Sequence, residues 1–330
     1  MNTLVCPSVT ILVAIYKPNL KWFIEQIKSL NEQTYENIQI YIWNDCPNDT
    51  FEYTLLLDKF LTNFNYLYYK GNNNLGSNGA FEKLTKLANT EYVAYCDQDD
   101  IWLPNKIEVL VDNANRTNSD LLCSDMFVIN EKGEIISDSI TKIRKRHTFD
   151  IRSDFFKYQL TRKFVTGCTT LVKTDFAKKA LPFPSDFVHD WWLGIYAAAF
   201  GKISIVLKPL IKYRIHNSNQ TSFLAKVIDK NSYYEYRIKP LKNRAIFIKE
   251  KFAISRYSSD VIKYCSFIEA RISYFIHPNF INCFNLLKYF NISPSIVVFE
   301  SLIPLLPKTL FELLINILKN RFDLHKNMLK

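Results

Sequence analysis

The sequence predicts an α/β protein: a mostly parallel sheet flanked by helices, followed by a mainly helical C-terminal extension. Two features of the first hundred residues point there. Strand-length apolar runs alternate with segments of helical periodicity, and the first such run, Val9–Tyr16, is apolar throughout apart from Thr10. Continuous apolarity marks a strand covered on both faces, and alternation with helices implies right-handed crossovers between parallel strands. The third feature is a change of character near residue 225, beyond which the chain reads as helical and basic.

Taken in order, Val9–Tyr16 is the first strand. Trp22–Gln33 sets Phe23, Ile27 and Leu30 on one helical face. Ile38–Trp43 and Phe64–Tyr69 are further strands, and Ser77–Ala88 is a second helix carrying Ala80, Phe81, Leu84, Leu87 and Ala88. Tyr92–Cys96 is a fourth strand. Beyond residue 100 the pattern predicts strands over Leu121–Asn130, Val165–Val172 and Ile203–Leu207, with a helix from Phe187 to Phe200. Ligands on such sheets bind outside the carboxyl ends of the strands. The segments to inspect are therefore Lys17-Pro18, Asn44-Asp45, Gly71–Gly76 and Asp97–Asp100.

Composition removes several classes. In 330 residues, 48% apolar and 22% charged, there is material for a soluble protein with a large core. Seven cysteines stand singly with no C-x-x-C, against a zinc or dithiol site and in keeping with a reducing compartment. The N-terminal apolar run lacks a basic segment before it and meets Lys17-Pro18 at once, so it reads as a strand and not an export signal. No G-x-G-x-x-G occurs. The Gly71-Asn-Asn-Asn-Leu-Gly76-Ser77 loop lacks the lysine a P-loop requires, leaving a tight turn in which Asn73–Gly76 approaches a ligand.

Asp97-Gln98-Asp99-Asp100 is the strongest chemical signal. Three carboxylates within four residues repel one another unless a cation is shared, and hard oxygen ligands suit Mg²⁺ or Mn²⁺ completed by substrate phosphates. An arbitrary D-x-D is more often a solvated turn; the strand-end position and the following Ile101-Trp102-Leu103-Pro104 give this one weight. A second candidate is His189-Asp190-Trp191-Trp192, at a helix start where an acidic residue is also favoured by the helix dipole alone.

Asp97–Pro104 resembles the D-x-D-D region of family 2 glycosyltransferases, closest to a D-Q-D-D-x-W subgroup described as rhamnosyltransferase-like. The resemblance spans roughly residues 8–220. It implies a GT-A fold and an inverting hexosyl transfer from a nucleotide sugar to a glycan or lipid-linked acceptor in bacterial surface polysaccharide synthesis. Carried over residue by residue, it sets Tyr16 and Asp45 at the nucleotide base, Asp97 at the ribose and Asp99 on the metal, with Asp100 in support. Asn74 and Gly76 match the N-x-G of the donor loop, and Asp190 takes the place of the general base. Tyr213-Arg214-Ile215-His216 resembles the Y-R-x-H segment closing the catalytic domain, so Arg214 is expected at the diphosphate and His216 at the metal. Trp191 and Trp192 are expected to offer faces to an acceptor sugar. Asn44-Asp45-Cys46-Pro47 departs from the usual D-D-G-S, and Ala80-Phe81-Glu82 from the usual A-R-N, which removes an arginine from that point.

The expected catalytic domain is 1–222 and the extension 223–330. The extension carries most of the net charge of +10: residues 221–330 hold 17 Lys+Arg against 8 Asp+Glu. Its interleaved basic and aromatic residues fit a packed helical subdomain, or peripheral contact with anionic lipid at the cytoplasmic face of the membrane, better than nucleic acid. Two other classes remain: a sugar-nucleotide-binding protein with the same fold, and a nucleotidyltransferase. The latter would carry a glycine-rich basic loop after the first strand, and Ile15–Asn19 has no glycine.

Overall fold

The computed structural model describes residues 6–143, 155–216, 224 and 226–327, with side chains as far as 319. They divide into two compact units, one within 1–159 and 163–216, the other within 160–162 and 217–330.

In the first unit the elements run β1 (Val9–Ile15), α1 (Leu20–Asn31), β2 (Ile38–Asn44), α2 (Tyr53–Phe60), β3 (Tyr66–Lys70), α3 (Gly76–Leu87), β4 (Tyr92–Cys96), β5 (Ile101–Trp102) and α4 (Lys106–Thr117). They continue as β6 (Leu121–Ile129), β7 (Ile135–Ser137), α5 (Ile140–Ile143), α6 (Phe155–Thr161), β8 (Thr170–Lys173), α7 (Thr174–Lys179), α8 (His189–Phe200) and β9 (Ile203–Arg214). This unit is α/β, helices alternating with the strands of one sheet.

The nine-stranded sheet has the order β3-β2-β1-β4-β8-β6-β9-β5, with β7 on β6. Strands β3, β2, β1 and β4 are parallel. Strand β8 runs against both β4 and β6, and β9 is again parallel to β6. Parallelism is thus complete in the first half and interrupted in the second. Central β1 and β4 are buried along their length, as continuous apolarity requires. Pairing of Ile15 with Asn44 and of Val13 with Cys96 brings the ends of β1, β2 and β4 to one edge. There α1 begins, its first N–H groups capped by the Asn19 side chain, and packs Phe23, Ile27 and Leu30 onto the sheet.

Two strand boundaries differ from expectation. The stretch Val165–Val172 forms a 3₁₀ turn over Gly167–Thr169 before β8 starts at Thr170. The strand expected at Ile203–Leu207 continues to Arg214, because the register slips opposite Pro209, which has no N–H to give the ladder, and pairing then resumes.

The second unit is helical: α9 (Lys230–Tyr233), a π turn (Tyr234–Ile238), α10 (Lys239–Lys251), α11 (Ser258–Ile276), α12 (Phe280–Leu287), α13 (Pro294–Leu302), a 3₁₀ turn (Ile303–Leu305) and α14 (Lys308–Asn327). Its interior is pinned by a buried two-pronged pair between Arg271 and Glu300, at 2.6 and 2.7 Å, to which the Tyr233 hydroxyl donates at 2.8 Å. Removing one partner of such a pair strands the other charge, so it specifies how α9, α11 and α13 meet.

Candidate active site

Strand β4 delivers Asp97–Asp100 at the sheet edge, and long-range bonds fix the loop. The Gln98 amide joins it to the end of β1, accepting from Tyr16 N–H at 2.7 Å and donating to Tyr16 C=O at 3.2 Å. From the end of β9, Arg214 N–H donates to Asp100 Oδ1 at 2.9 Å and Arg214 Nε to the Asp99 carbonyl at 2.9 Å. The same guanidinium donates to the carbonyls of Asn130 and Glu131, pairs with Glu25 of α1 at 2.6 Å, and lies 5.3 Å from the Trp22 ring. His216 Nε2 lies 2.7 Å from Asp99 Oδ2, with its ring 4.8 Å from Trp22.

The carboxylates are strained electrostatically. Burial, then Asp99 and Asp190, push Asp97 up to about 7. Burial, then Asp99 and Asp97, hold Asp100 well above the ordinary carboxylate range, and the protonated Cys168 thiol is its side-chain neighbour. Beneath them Lys106 of α4 is fully buried, donating to the Cys168 carbonyl at 2.7 Å with Nζ 3.0 Å from the centre of the Trp102 ring. Burial lowers this lysine to about 7, a position that balances charge under the loop. An excess of carboxylate at one loop is a charge imbalance that a bound cation would relieve. Asp97, Asp100 and the Cys168 thiol also come within 4.8 Å of one another. Cys168 is buried and its thiol is pushed well up, foremost by burial, so it stays protonated; a soft neutral thiol is a poor ligand for Mg²⁺ or Mn²⁺. The partly exposed Asp99 carboxylate is the better fit for a hard cation.

The second carboxylate lies within the same electrostatic field, since Asp190 is among the charges that raise Asp97. Asp190 opens α8. Its Oδ2 accepts from Lys163 Nζ at 2.7 Å and from Gly167 N–H at 2.9 Å, and its Oδ1 from Trp191 N–H at 2.7 Å. Burial alone would raise this carboxyl, but Lys163 and the Gly167 N–H outweigh it and hold the group below its ordinary value. Gly167 is required here because a Cβ would come 2.7 Å from His189 Nε2. His189 itself is buried against Phe81 and Tyr95, and burial lowers it to about 4, so it is a neutral packing group. The start of α8 is anchored from α3: Asn78 accepts from His189 N–H at 2.8 Å and donates to the carbonyls of Pro184 and Phe187, and Glu82 accepts from Phe183 N–H at 2.9 Å.

Lys163→Met tests this arrangement. In the general-base role that the resemblance implies, Asp190 would accept a proton only when ionised, and activity would fall as pH drops through its pKa. Without Lys163 that pKa rises, and the acid limb of the kcat/KM profile should move to higher pH, measured against the wild-type profile.

The other expected site residues fall as follows. Tyr16 is exposed at the same edge. Asp45 is buried, and its carboxylate accepts from Leu75 N–H at 3.0 Å and Trp43 Nε1 at 3.2 Å, which ties β2 to the loop before α3. In that loop Asn74 Oδ1 accepts from Gly76 N–H, and Gly76 has φ +68° with open space around it. Arg214 departs from its expected place at the diphosphate: the guanidinium is 0% exposed and shapes the loop from beneath. Trp192 departs from the expected acceptor face, being 1% exposed with its indole N–H on the Ala180 carbonyl. Trp191 is half-buried, with its N–H on the Gln159 carbonyl. Beyond His216 the segment Asn217–Gln220 lies outside the described residues. Sequence reasoning passed over Gln98, Lys106, Asn78 and Lys163; only Gln98 carried a signal, as the second letter of D-Q-D-D.

A family model described as glycosyl transferase family 2 matches residues 10–180, from β1 through the carboxylate loop to the segment before α8. The chain belongs to this family. This family 2 glycosyltransferase is 28% identical over 238 residues to the uncharacterized glycosyltransferase MJ1057 of Methanocaldococcus jannaschii, covering 71% of this chain and 79% of that one. It is 27% identical over 246 residues to the dTDP-rhamnosyl transferase RfbG of Shigella flexneri, covering 67% and 81%. Against WfgD of Escherichia coli, a UDP-Glc:alpha-D-GlcNAc-diphosphoundecaprenol beta-1,3-glucosyltransferase, identity is 26% over 205 residues, with 59% and 73% covered. Among solved structures, S. aureus TarS 1–349 in complex with UDP-GlcNAc superposes with a TM-score of 0.55 at 15% identity, over 88% of this chain and 82% of that one. At that identity the likeness speaks for the fold.

Proposed function

We propose that this transferase moves a hexosyl group, with inversion, from a nucleoside diphosphate sugar to a glycan or lipid-linked acceptor in bacterial surface polysaccharide synthesis. The observation that carries this is the pairing of an unbalanced carboxylate loop with a separate carboxylate, Asp190, held ionised within its field. In this reading Tyr16, Asp45 and the Asn74–Gly76 turn receive the nucleoside, Asp97 the ribose, and Asp99 with His216 a Mg²⁺ or Mn²⁺ ion. That ion would neutralise charge on the departing diphosphate. Arg214 and Gln98 keep the loop in shape, and Trp191 borders the acceptor side. Asp190 takes the proton of the acceptor hydroxyl as it attacks the anomeric carbon from the face opposite the leaving group, and one base opposing one leaving group yields a single inverting displacement. A dTDP- or UDP-sugar is the favoured donor class, in keeping with the names of RfbG and WfgD. A lipid-linked acceptor would bring the protein to the cytoplasmic face of the membrane, and the basic second unit suits anionic lipid.

The test is thermal stability with Mn²⁺ across a panel of nucleoside diphosphates and nucleotide sugars. Ligand at a hundredfold excess over Kd stabilises by about 2.7 kcal/mol, which raises Tm by several degrees. Stabilisation by UDP or dTDP that needs the metal is expected, and Asp99→Ala should abolish the metal-dependent part. Indifference to every nucleotide would sink the transferase reading.

A further inference from the structure

Helix α12 is amphipathic the wrong way round for a surface helix. Phe280, Ile281 and Phe284 are 95%, 74% and 63% exposed, and Leu287 continues the same face one turn on. Asn282 and Asn285 face the other way, lining a groove with Ser266, Glu269 and Ser273 of α11, while Lys288 sets its ammonium 5.3 Å from the centre of the Phe284 ring. Only Leu286 of α12 is buried. An ordinary surface helix buries its apolar stripe and shows its polar one.

The surrounding charge says what covers such a face. From Phe280 to Lys319 the acidic residues are Glu300, buried against Arg271, and Glu312, 3.9 Å from Lys308; the charge beside the α12 face is Lys288. Among the described residues no helix is long and apolar enough to cross a membrane. An outward apolar helix face edged by Lys288 fits the boundary between headgroups and acyl chains of an anionic bilayer, where aromatic and aliphatic side chains insert and a lysine meets phosphate.

We propose that α12 is a membrane-insertion element, with Phe280, Ile281 and Phe284 entering the interface of an anionic bilayer. The proposal rests on the membrane contact proposed above for the second unit and names its element: a short apolar face, not the interleaved basic and aromatic residues of the extension at large.

Flotation of the full chain with vesicles of phosphatidylcholine, alone or mixed with phosphatidylglycerol, tests it. The wild type should float with the mixed vesicles, less so at high salt. The variant Phe280→Ser, Ile281→Ser, Phe284→Ser removes only outward side chains, so it should keep its helical circular dichroism while losing roughly tenfold or more in partitioning. Leu55→Ser with Leu67→Ser, exposed positions of the first unit, should float like wild type. In a Phe284→Trp variant, emission should shift to the blue on adding mixed vesicles. If the triple variant floats as well as wild type, the role of α12 falls and membrane contact stands. If wild type binds neither vesicle, both fall, while nucleotide-dependent stabilisation would still uphold the transferase. Concentration-dependent self-association that the triple variant abolishes, without vesicle binding, would make this face a contact between copies and overturn the proposal.

Discussion

Asp190→Asn should lower kcat by a factor on the order of 10²–10⁴ while nucleotide binding stays within about twofold of wild type. The substitution is nearly isosteric. An amide oxygen at the Oδ2 position still accepts from Gly167 N–H and Lys163 Nζ, so the start of α8 keeps its shape. What disappears is basicity: an amide cannot take the proton of an attacking hydroxyl. The NH₂ group must also face Trp191 N–H, which now donates to Oδ1, so a small loss of stability accompanies the loss of rate. Steady-state kinetics and calorimetric titration of the nucleotide separate the two effects. Retention of full activity would remove Asp190 from the role of base.

Arg214→Met should act chiefly on stability, by about 3 kcal/mol, near the lower end for breaking a buried ion pair because Glu25 is partly exposed and can rehydrate. The carbonyls of Asp99, Asn130 and Glu131 lose their donor together, and methionine supplies none. The backbone bond from Arg214 N–H to Asp100 survives, so the loop loosens without detaching. Denaturant unfolding should show the lower midpoint, with KM for the donor raised more than kcat is reduced. Lysine should not rescue it, since one ammonium cannot reproduce a planar fork reaching Glu25 and three carbonyls. Wild-type stability with a large fall in kcat alone would argue that Arg214 contacts the donor after all.

These two residues show what could be read from the sequence. Strands buried on both faces announce themselves by near-continuous apolarity, so β1 and β4, and with them the edge carrying Asp97–Asp100, were legible. Arg214 was legible as a member of a motif, but its direction was not, because its partners lie on α1 and the β6–β7 turn, far away in sequence. Trp191 and Trp192 look alike as a doublet. Adjacent helical positions are rotated by about 100°, which buries one and leaves the other half-buried. Lys163 lies in a stretch with no periodicity, and nothing local announces that it meets a carboxylate on α8. Helix α4 was missed as well, although its apolar face closes the core beneath the loop and brings Lys106 with it.

The bond from Arg214 to Asp100 spans 114 positions, and the bond to Glu25 spans 189. Strand β9, which ends in Arg214, joins β6 on one side and β5 on the other. During synthesis, therefore, the carboxylate loop leaves the ribosome long before the residues that fix it. At translation speeds of about 5–20 residues per second, that interval lasts several seconds or more. Through it the acidic loop is held to the end of β1 by Gln98, and its contacts to Arg214 wait for the last strand to dock.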